Sequence, residues 1–435
     1  MCQSEIDLAG VGIGPFNLSL AALLAPAADT AVRFFDRRPH FAWHPGLMLP
    51  DARLQTSFLK DLVTAVDPTS PYSFLAYLVE RRRFYEFVNA DFKAVSRLEF
   101  SDYLAWAARR VPGLYFGTTV HEVRFEDGAF RVATDGEAVA ARNLCVAQGQ
   151  QPFSPAWARD ADAERCFHAA EILDRRPAVG GLRVAIVGGG QTGAEVFLTL
   201  ARGHFGDPRS IAWISRRPNF EPLDETHFTN EYFSPGYLRH FHGLPEARRT
   251  SVLAGQKLAS DGISPSTLEE LYQLLYRDRH LTDKDAGYLL LPGREAIALQ
   301  RDGAAMRISA RSPMAEGLET VDADLVILCT GYHSVFPQVL KPLAERLDLD
   351  AAERPRLDPH FRVLWDGPSD RRIYLQNYAR HSHGIADPQL SLMAWRSAVI
   401  ANDLLGGRRY DVDDLASPIT WHRASSAPGD ETRAA

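Results

Sequence analysis

The chain has 435 residues, too many for one ordinary domain and enough for two or three. Hydrophobic residues make up 46% and charged residues 24%, the balance of a folded protein rather than a disordered one. The net charge of −7 leaves no basic footprint, which excludes nucleic acid as the main partner.

The four cysteines, Cys2, Cys145, Cys166 and Cys329, include no C-x-x-C pair. Their scatter fits neither a zinc ribbon nor a disulfide framework, and small buried hydrophobes in a reducing cytoplasm are expected. No run of 18 apolar residues occurs, so no membrane span is expected. The start, Met1 to Asp7, carries two acids and no basic residue, unlike a signal peptide.

The first predicted strand, Ile6 to Ala9, runs into Gly10-Val11-Gly12-Ile13-Gly14-Pro15-Phe16-Asn17, and a helix follows to Leu24. Strand, glycine turn and helix form the context of a dinucleotide fingerprint. Gly10 makes the turn, Gly12 lets the backbone approach a pyrophosphate, and the helix N-terminus faces the negative charge. Pro15 replaces the third glycine of the pattern and suits a first helical turn. The next strand, Ala31 to Phe35, ends at Asp36, where an acid meets a ribose hydroxyl. Strands Leu114 to Val120 and Ala129 to Thr134 read as a meander before a closing strand that ends at Gly149.

The pattern then repeats. Arg183 to Val187 is a buried-looking strand that enters Gly188-Gly189-Gly190-Gln191-Thr192-Gly193, a full G-x-G-x-x-G, and a helix continues from it. After the strand Ser210 to Ile214 stand Ser215, Arg216 and Arg217 in place of an acid, which suits a 2′-phosphate and favours NADPH. Its closing strand, Asp324 to Cys329, ends at Thr330-Gly331. The gap from Gly188 to Gly331 nearly equals that from Gly10 to Gly149. The opposite choices at the ribose position place FAD in the first site and NADPH in the second.

The expected fold is α/β, with two Rossmann-like dinucleotide-binding domains and a small, mostly helical substrate region. Residues 1–176 form the first part of the FAD domain. Residues 177–332 form the NADPH domain, with the helical insertion at about 219–287. Residues 333–427 return to the FAD domain, and 428–435 form a disordered tail.

These motifs resemble the flavin-dependent N-hydroxylating monooxygenases, the lysine and ornithine N-hydroxylases of siderophore biosynthesis. The likeness rests on residues 10 to 18, where Pro15 is the family norm. It extends to Trp43-His44-Pro45-Gly46, Leu54 to Leu62, Leu328-Cys329-Thr330-Gly331-Tyr332 and Leu390 to Ser397. It implies that NADPH reduces FAD, that the reduced flavin traps O2 as a C4a-hydroperoxide, and that a neutral side-chain amine attacks the distal oxygen to give a hydroxylamine. No protein nucleophile or metal is then required.

The resemblance also implies residue roles. Lys60 pairs with the substrate carboxylate, and Gln55 lies near the flavin N5 edge. Asn230 holds substrate and nicotinamide surroundings, and Ser391 and Leu390 stand beside the substrate and flavin. Asp261 stands where ornithine enzymes place an asparagine facing the amine. Gly10, Gly12, Gly14, Pro15, Asn17, Asp36, Trp43 and His44 belong to the FAD side. Gly188, Gly190, Gln191, Gly193, Ser215, Arg216, Arg217, Thr330, Gly331 and Tyr332 belong to the NADPH side. His381-Ser382-His383 lacks a third metal ligand at a known spacing. L-Lysine is the leading substrate, before putrescine, cadaverine or ornithine, and a dimer or tetramer is expected. Two readings outside the family stay open. A different two-dinucleotide flavin monooxygenase should lack the Lys60 block. A catalytically idle flavoprotein is disfavoured by the intact glycines.

Overall fold

A computed structural model describes residues 5–282, 287–303, 305–413 and 417–421. Cys2 and the tail from 428 lie outside the described residues.

The first unit is built on β1 (Ile6–Val11), α1 (Pro15–Leu24) and β2 (Val32–Asp36). Helices α2 (Phe74–Glu80), α3 (Phe84–Asn89) and α4 (Arg97–Ala108) follow, then β3 (Leu114–Phe116), β4 (Val120–Glu126), β5 (Ala129–Thr134) and β6 (Val139–Val146). The sheet runs β3-β2-β1-β6-β5-β4, parallel at its core and antiparallel in the β4-β5-β6 meander. The stretch read as one strand from Leu114 to Val120 is two. Gly117 takes φ +67° and breaks it, so β3 joins the parallel core while the meander begins at Val120.

A short crossing carries β7 (Gln151–Pro152), β8 (Cys166–His168) and α5 (Ile172–Arg175). The second unit opens with β9 (Arg183–Val187), α6 (Gln191–Ala201) and β10 (Ser210–Ser215). The insertion that follows holds the 3-10 helix Thr229–Phe233 and helices α7 (Pro235–His242), α8 (Glu246–Gly255), α9 (Lys257–Asp261) and α10 (Pro265–His280). Then come β11 (Tyr288–Pro292), β12 (Glu295–Asp302), β13 (Ala305–Arg311), β14 (Leu318–Ala323) and β15 (Leu325–Leu328). The second sheet is wholly parallel, β11-β10-β9-β15-β8, and an antiparallel sheet β12-β13-β14 covers one of its faces. Two features lie outside the sequence reading. β8 precedes residue 177 yet pairs with β15, so the second sheet begins before the expected boundary. β13 alternates Met306, Ile308 and Ala310 inward, a two-residue period that marks a half-buried strand.

The chain returns through β16 (Tyr332–His333), which pairs with β7, then β17 (Ile373–Leu375), α11 (Arg380–His383) and α12 (Met393–Leu405). β17 adds in parallel to the C-terminal half of β6, while β5 occupies its N-terminal half. Every residue of α1 is buried, including the polar Asn17 and Ser19 among its otherwise apolar side chains, and α12 packs against it.

Two buried polar groups fix this return. The Asn17 amide donates to the Gly12 carbonyl at 2.8 Å and accepts from Gln376 Nε2 at 3.0 Å and Cys145 Sγ at 3.1 Å. It thus ties the glycine turn, β6 and the segment after β17 together. Arg396 on α12 meets Asp387 at 2.5 Å, both at 2% exposure or less, and the second Asp387 oxygen accepts the Ala379 amide. Asp387→Asn is expected to leave a buried guanidinium without its counter-charge and to cost about 3–5 kcal/mol. The thermal midpoint should fall sharply, and the double variant Asp387→Leu with Arg396→Met should lose less than the single one.

Candidate active site

The glycine turns dictate where ligands approach. A Cβ at Gly12, which has φ +86°, would lie 2.6 Å from the Ala147 carbonyl oxygen, so only glycine fits there. A Cβ at Gly14 would meet nothing within 4 Å, and no packing inside the chain demands that glycine. The space is a cradle at the N-terminus of α1, where first-turn N–H groups lack helical partners. The second turn has the same two parts. Gly188, at φ +136°, would strike the Cys329 carbonyl oxygen at 2.0 Å, while Gly190 faces open space with only the Asp261 carbonyl oxygen at 3.9 Å. Beside it Arg217 Nη1 is buried and unpartnered, a donor suited to an anion. Both turns therefore fit a dinucleotide pyrophosphate.

Two cavities lie beside these elements; the first opens from the first turn, while Gly188, Gly190, Arg216 and Arg217 line neither. The first, about 660 Å³, is lined by Gly12, Gly14, Pro15 and Phe16 of the turn and by Asp36, Arg38, Trp43, His44, Tyr332 and Leu390 among others. The second, about 1090 Å³, is lined by Lys60, Asn230, Phe233, Ser264 and Ser391 among others. They share a wall made of Arg53, Leu54, Gln55, Thr56, Gln191, Glu195 and Gln389. Gln55 reaches across this wall from the first unit to the second, donating to Ser264 Oγ at 3.0 Å. Gln191 takes the Ser264 amide at 2.8 Å and donates to Glu195 at 3.0 Å and Thr267 at 3.1 Å. Thr56 and Ser391 hydroxyls lie 3.4 Å apart, joining the Lys60 block to the return segment.

Most sequence-selected residues converge on these walls, with instructive exceptions. Tyr332 and Gln191, expected on the NADPH side, line the first cavity as well. Tyr332 stands edge-on to His44 at 5.6 Å. Gly10 lines neither cavity; it makes room for the Phe34 ring, which a Cβ would meet at 2.0 Å. Gly193 likewise accommodates the Gly188 carbonyl and Trp213. Asn17, expected at the FAD, is fully buried and committed to the network described above. Ser215 is buried under Gly189 and receives the Arg217 amide, so its hydroxyl supports the turn, while Arg216 is exposed. Thr330 and Gly331 hold the β7 strand and His168 rather than a cavity wall. Asp261 lines neither cavity. Its carboxylate is drawn off by Arg380 at 3.4 Å, and its carbonyl accepts from Arg217 at 2.6 Å.

Three residues were not selected from the sequence. Arg38 clamps Asp36 through both oxygens at 2.8 and 2.9 Å. Glu195, one helical turn after Gln191, meets Arg97 at 3.7 Å across the seam between the units. The i, i+4 spacing of Gln191 and Glu195 was the available signal for Glu195; nothing local distinguished Arg97.

The electrostatics follow from burial and partners. Burial would raise the Asp36 pKa, but Arg38 and the Ile13 amide outweigh it and hold the carboxyl below its ordinary range. Burial raises Glu195 against the pull of Arg97 and Gln191. Burial lowers Lys60, partly offset by the charge of Glu231, and no ion pair engages Lys60 among the described residues. The thiols are protonated by burial, Cys145 pushed up to about 12 and Cys166 to about 11. His44 holds a left-handed backbone at φ 45°, and burial together with Arg97 and Arg38 lowers its pKa to about 4.

The His44 shift has a signed consequence. At pH 7 the imidazole is neutral folded and unfolded. As pH falls through 6.5 the unfolded chain takes up a proton that the folded site refuses until about 4. Stability attributable to His44 is therefore lost between these values, and because the residue is more than a third exposed, solvent screening keeps the loss well below what the full shift would give. Thermal midpoints recorded from pH 7 to 4 should converge when His44 is replaced by Asn, which tolerates the left-handed backbone; parallel curves for the two proteins would refute this.

Residues 4–334 match the family model described as L-lysine 6-monooxygenase/L-ornithine 5-monooxygenase. The L-lysine N6-monooxygenase of Escherichia coli is 42% identical over 421 residues, covering 96% of this chain and 99% of that protein. The FAD-bound cadaverine monooxygenase of the desferrioxamine pathway from Erwinia amylovora superposes with a TM-score of 0.91. It is 29% identical, with 98% of this chain and 100% of that one covered. The Kutzneria ornithine N-hydroxylase, solved with reduced FAD, NADP+ and L-ornithine, gives a TM-score of 0.86 at 28% identity, covering 93% and 99%. With its paired glycine turns, shared wall and parallel sheets, this chain belongs to the lysine and ornithine N-monooxygenase family.

Proposed function

We propose that the protein hydroxylates the side-chain amine of L-lysine with NADPH and O2, giving a hydroxylamine for a hydroxamate siderophore. A cytoplasmic location and a homo-oligomeric state, dimer or tetramer, belong to the same reading. The observation that carries the choice of amine is Lys60, a half-buried cation on the second cavity with no ion pair among the described residues. A cavity that must admit an amine gains nothing from a fixed positive charge unless the substrate also brings an anion. An α-carboxylate supplies that anion, and a diamine does not.

When bound, FAD supplies the chemistry that activates O2 with the hydride of NADPH. One amine, one O2, one NADPH and one proton are consumed, and one hydroxylamine, one water and one NADP+ result. The chain's own residues do the rest. Gly12, Gly14 and the start of α1 would hold the FAD pyrophosphate, with Asp36 and Arg38 beside its ribose. Gly190 and the start of α6 would hold that of NADPH, with Arg216 and Arg217 on the 2′-phosphate. Lys60 binds the carboxylate, and Asn230 and Ser391 orient the chain of the amino acid. Gln55, on the shared wall, lies where the amine and the flavin meet. Leu54, Phe233 and Leu390 exclude water, which favours the neutral, nucleophilic amine over its ammonium form.

A diamine is the second reading. Asp224 and Glu225 line the same cavity and would suit a second ammonium group. Lys60→Ala separates the two. The KM for lysine is expected to rise about ten- to a hundredfold, the size of a lost charged hydrogen bond, while amine-free NADPH oxidation stays within about twofold. An unchanged KM, or hydroxylamine formed only from putrescine and cadaverine, favours the diamine. Replacing Arg216 and Arg217 together by Ala should raise the KM for NADPH about tenfold or more and leave that for NADH nearly unchanged. Equal effects on both would remove these arginines from the 2′-phosphate.

A further inference from the structure

Residues 412–413 and 417–421 lie far from both glycine turns in sequence, yet they contact the helical insertion that forms one side of the second cavity. The Val412 carbonyl accepts from Trp395 Nε1 of α12 at 3.0 Å and from Arg239 of α7 at 2.5 Å, so one peptide joins the two units. Beyond it Ser417 Oγ donates to Glu231 Oε2 at 2.8 Å. The Trp421 ring stands edge-on to Tyr237 at 4.6 Å and tilted over Tyr232 at 5.6 Å, and those tyrosines are 4.9 Å apart.

Glu231 and Tyr232 belong to the 3-10 helix Thr229–Phe233, which also presents Asn230 and Phe233 to the cavity. No residue of this helix is buried, and a 3-10 turn has poor hydrogen-bond geometry of its own. Its position therefore depends on contacts from outside. Phe233 packs on the first core from one side, and Trp421 with Ser417 holds the other.

We propose that this C-terminal segment is a strap that positions the amine site: Trp421 and Ser417 fix the 3-10 helix so that Asn230 and Phe233 face Lys60. The inference rests on the reading of Lys60 and Asn230 as amine-binding residues. Trp421 touches no part of either cavity and is a positioning residue.

The test uses the full chain loaded with FAD and the variants Trp421→Ala, Trp421→Phe, Ser417→Ala and Asn230→Ala. Trp421→Ala is expected to raise the KM for lysine about tenfold, the size expected when two ring contacts are lost. The FAD content and the amine-free rate of NADPH oxidation should stay within about twofold, because the flavin cavity is untouched. Trp421→Phe should restore most of the KM, and Ser417→Ala should raise it about threefold, as for one exposed hydrogen bond. Because the strap acts through Asn230, Trp421→Ala should add little in the Asn230→Ala background. If Lys60→Ala and Asn230→Ala raise the KM while Trp421→Ala does not, the strap is overturned and the site reading stands. If none of the three raises it, the site reading falls first. If Trp421→Ala loses FAD and stability while Trp421→Phe and Ser417→Ala leave the KM unchanged, the segment serves the fold alone and the proposal is overturned.

Discussion

Two carbonyl oxygens set the frame of this molecule. Those of Ala147 and Cys329 end the closing strands of the two units, and each lies directly under the turn glycine of its own unit, Gly12 or Gly188. A β-carbon on either glycine would overlap the oxygen, so each turn can close only where the backbone passes without a side chain. That contact reinforces the pairing of the strand before each turn with its closing neighbour, β1 with β6 and β9 with β15, and aims the helix that follows at the cradle beside it. The repeated interval between the turns and their closing strands is the imprint of this contact along the chain. Two sites of similar geometry thus arise from one device used twice.

The device does not by itself bring the two sites together. A single extended stretch, residues 43 to 60, does so. Gly46 presses on the Ala170 carbonyl with no room for a β-carbon, and Leu47, Leu49 and Ala52 are buried in the core of the second unit. Leu54, Leu62 and Val63 are buried in the core of the first. Between these anchors lies Gln55, bonded to Ser264 of the second unit and shared by both cavities. The Arg97 and Glu195 pair spans the same seam. The wall shared by the two cavities is therefore fixed by a stretch that belongs to two cores at once.

What was legible in the sequence follows from whether the cause was local. The glycine turns, the strands before them and the arginines after β10 are readable because strand, turn and helix lie within a few residues. The largely apolar α1 is readable for the same reason. The misplaced residues fail where a partner distant in sequence decides. Asn17 belongs to the fingerprint, but Cys145 and Gln376 turn it inward. Asp261 sits beside the second turn, but Arg380 draws its carboxylate away. Tyr332 follows the second closing strand, yet His44 and His168 hold it against the first cavity. The strand β8 is three residues long and exists because β15 needs a neighbour. The four strands from Tyr288 to Ala323 differ in kind: the alternation in β13 was present in the sequence, and its meaning was local.

If Lys60 is the partner of the substrate carboxylate, as proposed, its charge also bears on the choice of amine. Burial disfavours its charged form, and Glu231 restores it only in part, so the group gains most from a partner that cancels its charge inside the cavity. An amino acid does this at one end, and its other end then experiences little net field from the ion pair. A diamine leaves the cation uncancelled. At about 7 Å and an effective dielectric near 20, two positive charges repel by about 2 kcal/mol, which lowers the affinity for the protonated diamine. The same repulsion also favours loss of the proton from the distant amine, so a diamine loses affinity while its reactivity gains. On that reading Lys60 discriminates chiefly at binding, and the other residues of the same cavity, Asn230, Ser391 and Gln55, are left to orient the neutral amine.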